Sequence, residues 1–345
     1  MQLRPIDHPS AWTAAELAED RSWVVELTEN DKAEALAALE RVGGWAVESI
    51  GCRDFGLPSL GPRLDAIIDE IEGGRGVALI RGVPIGGLAL GDIERLFWGL
   101  ATHLGYPEAQ DATGKRLHHV RAQQTVADRD QARQLFAGSN LRAYQTNIEL
   151  GFHGDGSDAL FFLCVRQGKT GGATRISSAT SAFNDLLAQD PTLVAALRIP
   201  VAFDTRGETG PDRPYQVAPV FALEDGQLSM LYKRGYIELA QRLPGAPPLT
   251  PQQIAAMDAL DQLIGSEKNC FSFDLAPGDI LIANNYNVLH ARTAFEDWPA
   301  PAPGRLMLRI WSTLRRNRRK LPPSYRTSRE FAEAQRRREL LGDPA

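Results

Sequence analysis

Three residues far apart in the chain carry the chemistry open to it: His153 and Asp155, in the tripeptide His153-Gly154-Asp155, and His290 far downstream. On an extended strand, side chains at i and i+2 point to the same face. A third ligand from a distant strand can then close one triangular face of a metal's coordination shell. Two imidazoles and one carboxylate, with positions left open, suit a non-haem Fe(II) that activates oxygen. The histidines would bind as neutral imidazoles, and the carboxylate supplies a hard anionic oxygen. A His-X-Asp tripeptide alone arises often by chance, so the weight falls on its surroundings. Arg305 lies within an apolar stretch beyond His290. Its planar guanidinium could grip a carboxylate through two charge-assisted bonds; the alternative is a surface salt bridge worth under about 1 kcal/mol.

The other candidates for chemistry have plainer roles. His8 lies near the N-terminus, His103 on a helix, and His118-His119 in a polar, loop-like stretch, and each is read as structural. Cys52, Cys164 and Cys270 are an odd, widely spaced set with neither a zinc-ribbon nor a disulfide pattern, so free thiols are expected. A net charge of −5 and a pI near 5.8 argue against general nucleic-acid binding. No apolar run approaches the roughly 20 residues of a membrane span. The opening MQLRPIDHPSAW has no basic-then-apolar signal pattern, which points to the cytoplasm.

Positioning these residues requires a frame, and the hydrophobic pattern outlines one over the 345 residues. Thr28 and Asp31 resemble a capping box, and Ala35, Leu36, Leu39 and Val42 form a helical stripe. Ile67, Ile68 and Ile71 mark a second helix ending at Gly73-Gly74; Gly76 to Pro84 reads as a buried strand stopped by proline. Asp92 starts an amphipathic helix closed by Gly105. From about residue 115 the pattern changes to short strands and turns. A strand follows the metal tripeptide to Val165, and Gly171-Gly172-Ala173-Thr174 turns into Arg175-Ile176. Asp190-Pro191 starts a short helix, with proline at its first position. Residues 217–223 and 228–232 flank Glu224-Asp225-Gly226-Gln227 as a hairpin. Thr250 caps a helix to about Ile264, and strands return at 270–274, 279–283 and 305–313. This is a mainly β chain with flanking helices (α+β), and it fits a double-stranded β-helix, the jelly-roll barrel of cupin-like enzymes. Barrel mouths favour ligand sites. The expected organisation is one domain: a helical N-terminal extension (1–75), a jelly-roll core with inserted helices (76–314) and a basic C-terminal tail (315–345). In the tail, Arg315, Arg316, Arg318, Arg319 and Lys320 read as a solvated face rather than an anionic-partner site, with a helix after Ser328.

The stretch from Leu275 to Phe295 contains Gly278-Asp279, then asparagines at 284, 285 and 287, then His290-Ala291-Arg292-Thr293. It resembles the C-terminal metal motif of the taurine dioxygenase-like (TauD/TfdA) family, where Gly-Asp, Asn and His-X-Arg-Thr recur in that order. Fifteen residues after His290, Arg305-Leu306-Met307-Leu308-Arg309 is similar to the family's paired-arginine strand. His153-Gly154-Asp155 fits its metal tripeptide and Gly171-Gly172-Ala173-Thr174 its Gly-Gly-X-Thr turn. The resemblance covers roughly residues 75 to 314. One departure is Gly154, where the family often carries Thr or Ser; this glycine is expected to loosen the loop. The retained Asp155 argues against a halogenase.

The resemblance implies an Fe(II)- and 2-oxoglutarate-dependent dioxygenase that uses O2 and releases succinate and CO2. Hydroxylation of an unactivated C–H is the default outcome, with desaturation or cyclisation as alternatives. It also implies that 2-oxoglutarate chelates the iron, that Arg305 clamps its distal carboxylate, and that Thr174 adds a hydroxyl bond there. Strand alternation puts Arg305, Met307, Arg309 and Trp311 on one face, with Arg309 about 13 Å beyond Arg305. Arg309 then binds a substrate anion or pairs with an internal carboxylate. Arg292 braces the loop. Gln145, Asn147 and Glu149 share parity with His153 and line the substrate pocket if the strand runs unbroken through Gly151. The substrate is expected to be a small anionic or zwitterionic metabolite, with no nucleic-acid or membrane partner and a homo-oligomer possible. A non-catalytic metal-binding or sensor protein on the same barrel, or a cupin-type enzyme needing no 2-oxoglutarate, leaves Arg305 unexplained.

Overall fold

Continuous apolar runs, rather than strict alternation, build the larger of the two sheets that frame the centre. The computed structural model describes residues 3–111, 113–126, 128, 131, 142–207, 214–316 and 319–325. Across the larger sheet lie Val24–Glu26, Val77–Arg81, Ile280–Asn284, Ala159–Arg166 and Leu306–Leu314, with Gly105–Glu108 and Leu117–Val120 both along the far edge of the last. All pairs are antiparallel except the first, which is parallel. The smaller sheet runs Cys270–Phe273, Thr174–Ser178, Val288–Arg292, Leu150–His153, all antiparallel.

Side-chain alternation sorts these strands into two cores. Leu79, Cys164, Leu281 and Met307 from the larger sheet meet Ile176 and Val288 from the smaller one in a single buried cluster, so the sheets pack face to face. On the opposite face, Ala78, Ile80, Ile282, Leu308 and Ile310 pack against the helices Glu29–Arg41, Leu60–Gly73 and Leu90–Leu104. The chain passes between sheets at Asn285-Tyr286-Asn287, which joins Ile280–Asn284 to Val288–Arg292. This is the expected jelly-roll core.

Local signals were realised where the chemistry was local. Thr28 and Asp31 form a reciprocal capping box, as do Thr250 and Gln253 at the start of Pro251–Ile264. Asp225 and Gly226, with φ of 51° and 82°, make the tight turn between Phe221–Glu224 and Gln227–Met230. The expected strand 217–223 is split instead. Tyr215–Ala218 pairs with Val201–Asp204, and Pro219, which has no N–H, separates it from the hairpin. No helix among the described residues is long and apolar enough to cross a membrane.

Three expectations are corrected by long-range packing. The N-terminal extension is not purely helical, because Val24–Glu26 adds a parallel edge strand. His118 and His119 lie in a strand paired with Leu306–Leu314, not in a loop. The basic segment after residue 314 is not a solvated tail. Asp65, Asp69 and Glu72 share one face of Leu60–Gly73, and Arg316 pairs with Asp65 and, at 3.1 Å, with Asp69. Arg319 is buried against Glu72 at 3.2 Å, while Lys320 lies 3.6 Å from Asp225. Arg318 and the helix expected after Ser328 fall outside the described residues. Burial pushes the Glu72 carboxyl up despite the opposing charge of Arg319. Arg319→Met is therefore expected to cost about 3–5 kcal/mol of stability, because it strands a buried carboxylate. Urea unfolding checks this, and Arg319→Met combined with Glu72→Leu should recover most of the loss.

Candidate active site

Strand register brings the two histidines together. Leu150–His153 pairs antiparallel with Val288–Arg292 so that His153 lies directly opposite His290, with ring centroids 4.2 Å apart. Opposed residues in such a ladder have Cβ atoms about 5 Å apart, which suffices for two imidazoles to share one point. Asp155 is positioned differently from the strand geometry expected for it. The strand stops at His153, and the crossover turn takes over. The Asp155 N–H donates to Asn285 Oδ1 at 3.0 Å, and Asn285 Nδ2 donates to Ser157 O and Oγ at 3.2 Å each.

Gly154 does not loosen this loop. Its N–H donates to Tyr232 O at 3.0 Å, and a Cβ there would sit 2.5 Å from Asn285 O. The glycine is required by close backbone approach. Gly154→Ala is expected to cost about 1–3 kcal/mol through overpacking. It should also weaken divalent-metal binding, because the displaced backbone carries Asp155; thermal unfolding with and without metal measures both effects.

The three side chains face one another rather than solvent. His153 Nε2 is 3.9 Å from Asp155 Oδ1, His290 Nε2 is 3.7 Å from Asp155 Oδ2, and one ligand atom from each lies within 4.8 Å of the others. The spacing is too long for hydrogen bonds and right for atoms around one ion. His153 Nδ1 is 2.9 Å from Gly151 O, so it carries the proton and leaves Nε2 as the donor atom. Burial holds the His290 imidazole down to about 4 and His153 well below its usual value, so both are neutral near pH 7. Burial alone would raise the Asp155 carboxyl, but Arg309, Lys233 and the two imidazoles hold it far below the carboxylate range. Asp155 Oδ1 and both ring nitrogens of His290 are buried without a hydrogen-bond partner. Leaving such a group unmatched costs about 1–3 kcal/mol, and a divalent cation among the three would satisfy them together. The donor set fits iron.

The triad lines a cavity of about 490 Å³. Arg305, Met307, Arg309 and Trp311 all line it, as alternation along their strand requires. Trp311 Nε1 donates to Asp155 Oδ2 at 2.9 Å. Arg305 is 7% exposed, its Nη1 has no hydrogen-bond partner, and its guanidinium lies 5.3 Å from the Phe295 ring centroid. Gly172, at φ 78°, leaves room for it: a Cβ there would lie 3.0 Å from Arg305 Nε. Thr174 lines the same cavity.

Of the two roles open to Arg309, the structure contains the internal pair. Its Nη1 is 3.5 Å from Asp155 Oδ2, its Nε donates to Gln110 Oε1 at 2.7 Å, and it lies between the rings of Tyr144 and Trp311. Arg292 braces residues 146–148, donating to Thr146 O at 3.0 Å and to Ile148 O. Gln145 and Glu149 line the cavity, but Asn147 does not; its Oδ1 accepts the Val126 N–H at 2.8 Å. The parity argument fails because the strand covers only Leu150–His153 and Gln145 ends a one-turn helix, Ala143–Gln145.

His118 and Lys233 are among the cavity-lining residues that the sequence reading missed. His118, read as structural, lines the cavity across the sheet from Arg309, its Nε2 3.2 Å from Asp111 Oδ2. Lys233 lies 3.6 Å from Asp155 Oδ1 and carries no local motif. The remaining histidines hold structural partners as expected: His103 with Phe55 O at 2.7 Å, His119 with Glu94 at 2.6 Å and His8 with Ser10 at 2.9 Å. The three cysteines are free thiols, and burial raises Cys164 to about 12.

Comparison with known proteins identifies the family. The chain is 30% identical to FR-33289 synthase of Streptomyces rubellomurinus (strain ATCC 31215) over 333 residues, which span 94% of this chain and 95% of that protein. It is 26% identical to the taurine hydroxylase-like protein SAT17 of Stachybotrys chartarum, over 87% of this chain and 77% of that one. In fold it is similar to asparagine oxygenase in complex with Fe(II), 2S,3S-3-hydroxyasparagine and succinate (TM-score 0.64, 17% identity, 85% and 93% of the two chains). It is also similar to the oxygenase OrfP in complex with Fe and alpha-ketoglutaric acid (TM-score 0.55, 18% identity, 84% and 94%). The pattern of the taurine catabolism dioxygenase TauD, TfdA family matches residues 34–311, so this chain belongs to that family and is a dioxygenase that works with Fe(II), 2-oxoglutarate and O2.

Proposed function

We propose that His153, Asp155 and His290 hold the Fe(II), that Arg305 and Thr174 hold the distal carboxylate of 2-oxoglutarate, and that the enzyme hydroxylates an unactivated C–H of a small anionic or zwitterionic metabolite. The observation that carries this reading is the convergence of the three ligand atoms within 4.8 Å, with Asp155 Oδ1, His290 Nε2 and Arg305 Nη1 all buried without hydrogen-bond partners. Iron and 2-oxoglutarate, when bound, supply the oxygen-activating chemistry, with succinate and CO2 as co-products.

The chain's own residues prepare the site. The Gly151 carbonyl fixes the His153 tautomer. Trp311 and Arg309 engage Asp155 Oδ2, which leaves Oδ1 for the metal. Arg305 offers a desolvated, preformed fork, and pre-organised donors of this kind are worth more where water is excluded. Phe162, Leu281 and Met307 give the cavity an apolar wall against which a hydrocarbon segment can lie. Gln145 and Glu149 are the substrate-facing polar groups carried forward from the sequence. A cytoplasmic location and the absence of a nucleic-acid or membrane partner rest on charge and composition.

Anaerobic titration of the Fe(II)-loaded enzyme with 2-oxoglutarate is expected to develop a visible charge-transfer band. If no band appears, the assignment of iron and co-substrate to these residues fails. Screening small anions for coupled succinate release then identifies the substrate.

A further inference from the structure

Gln110 lies in the connection between Gly105–Glu108 and Leu117–Val120, the two strands that share the outer edge of Leu306–Leu314. Register sets Glu108 opposite Trp311 and His118 opposite Arg309, so this connection turns beside the arginine. The Gln110 N–H donates to Lys115 O at 3.0 Å and closes the turn, while its side chain is buried at the cavity wall. The amide makes three contacts there. Its Oε1 accepts from Arg309 Nε at 2.7 Å, and its Nε2 donates to Arg309 O at 2.9 Å and to Arg116 O at 2.8 Å. A guanidinium only donates and a carbonyl only accepts, so these partners fix which end of the amide is which.

Arg309 passes this constraint on. Its guanidinium is planar, so holding Nε also sets the direction in which Nη1 points. The rings of Tyr144 and Trp311 lie 4.8 and 5.0 Å from the guanidinium and limit its movement further. Nη1 is then 3.5 Å from Asp155 Oδ2, the oxygen that also accepts from Trp311 Nε1 at 2.9 Å. Distance decides which contact does the positioning. At 3.5 Å the pair with Asp155 is too long for a hydrogen bond, whereas the contact with Gln110 lies at the short end of the hydrogen-bond range. An arginine side chain has many rotamers to lose, and the bond to Gln110 is the one that selects among them.

We propose that Gln110 is a positioning residue for the metal centre, which acts through Arg309 on the orientation of the Asp155 carboxylate. This rests on the assignment of the iron to His153, Asp155 and His290. The competing role is local: an amide that ties the turn to two carbonyls and stabilises the fold without reaching the metal. The two roles use opposite ends of one amide, Oε1 for the metal and Nε2 for the fold, so chemistry can separate them.

The test is anaerobic calorimetry with Fe(II) on the full chain, without co-substrate, beside thermal unfolding of the metal-free protein. Gln110→Leu removes both ends of the amide and is expected to raise the Fe(II) dissociation constant about tenfold, as loss of a group behind a ligand does. Gln110→Glu keeps an oxygen for Arg309 Nε but has no N–H to give the carbonyls. It should lose thermal stability as the leucine variant does, yet bind Fe(II) within about threefold of the parent, since the outer partner of Arg309 survives. Arg309→Met removes the connection. Adding Gln110→Leu to it should change Fe(II) affinity by less than about twofold, whatever Arg309→Met does alone. Should Gln110→Leu fail to fold, Gln110→Ala replaces it, because the space it leaves lets water reach the two carbonyls.

Three results overturn the positioning role: Fe(II) affinity in Gln110→Leu within about twofold of the parent, an equal loss in Gln110→Glu, or an undiminished loss on the Arg309→Met background. A parent that binds no Fe(II), or that binds it equally well as His290→Ala, sinks the iron assignment instead. Binding that needs His290 but ignores Gln110 sinks the positioning role alone.

Discussion

His290→Ala is expected to abolish Fe(II)-dependent thermal stabilisation and to lower kcat/KM by more than about a hundredfold, a loss larger than that typical of groups behind the ligands. The imidazole makes no hydrogen bond through either ring nitrogen, so its removal takes away packing and no polar contact. The metal-free variant is therefore expected to unfold at nearly the same temperature as the metal-free parent. A ligand that binds only the folded state raises the unfolding temperature with concentration. The parent should show that rise with Fe(II), and His290→Ala should not. A variant that keeps the full Fe(II)-induced shift would show that the ion sits elsewhere. The geometry leaves little room for a substitute ligand, because His153 and Asp155 are the only other metal-ligating groups converging there among the described residues.

Arg305→Ala is expected to raise the dissociation constant for 2-oxoglutarate by about a hundredfold or more while leaving Fe(II) affinity nearly unchanged. Two charge-assisted bonds to a carboxylate are each worth about 1.5–3 kcal/mol, and this guanidinium is already desolvated. Burial lowers its pKa more than the nearby Asp297 raises it, the direction expected of a desolvated cation. The co-substrate-free variant should accordingly be no less stable than the parent. Arg305→Lys should recover only part of the affinity, since a point charge cannot reproduce a planar fork. Equilibrium titration of the charge-transfer band measures both variants. An unchanged 2-oxoglutarate affinity in Arg305→Ala would remove this residue from the site and return it to a structural role against Phe295 and Asp297.

Much of the frame was legible because its causes are local. Capping boxes at Thr28 and Thr250, the Asp225-Gly226 turn and the apolar run 159–165 each depend on neighbours within a few residues. The alternation from Arg305 to Trp311 was legible too, because a strand's faces follow from period two alone. Parity failed upstream of the tripeptide, where Gln145 and Asn147 belong to a turn rather than to the strand. Gly154 was misread for a related reason. Its constraint is the Asn285 carbonyl, which belongs to the crossover turn between the sheets.

The sequence by itself determined which atoms could meet a metal and a dicarboxylate: two imidazoles, one carboxylate, one guanidinium and the turn that clears space for it. Those choices are chemical, and side-chain identity carries them. Only the tertiary structure decided that Trp311 and Arg309 meet Asp155 at Oδ2, that His118 and Lys233 join the cavity, and that Arg316 and Arg319 are taken up by Asp65, Asp69 and Glu72. Each of these depends on strands or helices distant in sequence being brought into register, and charge complementarity across such distances leaves no periodic trace in the chain.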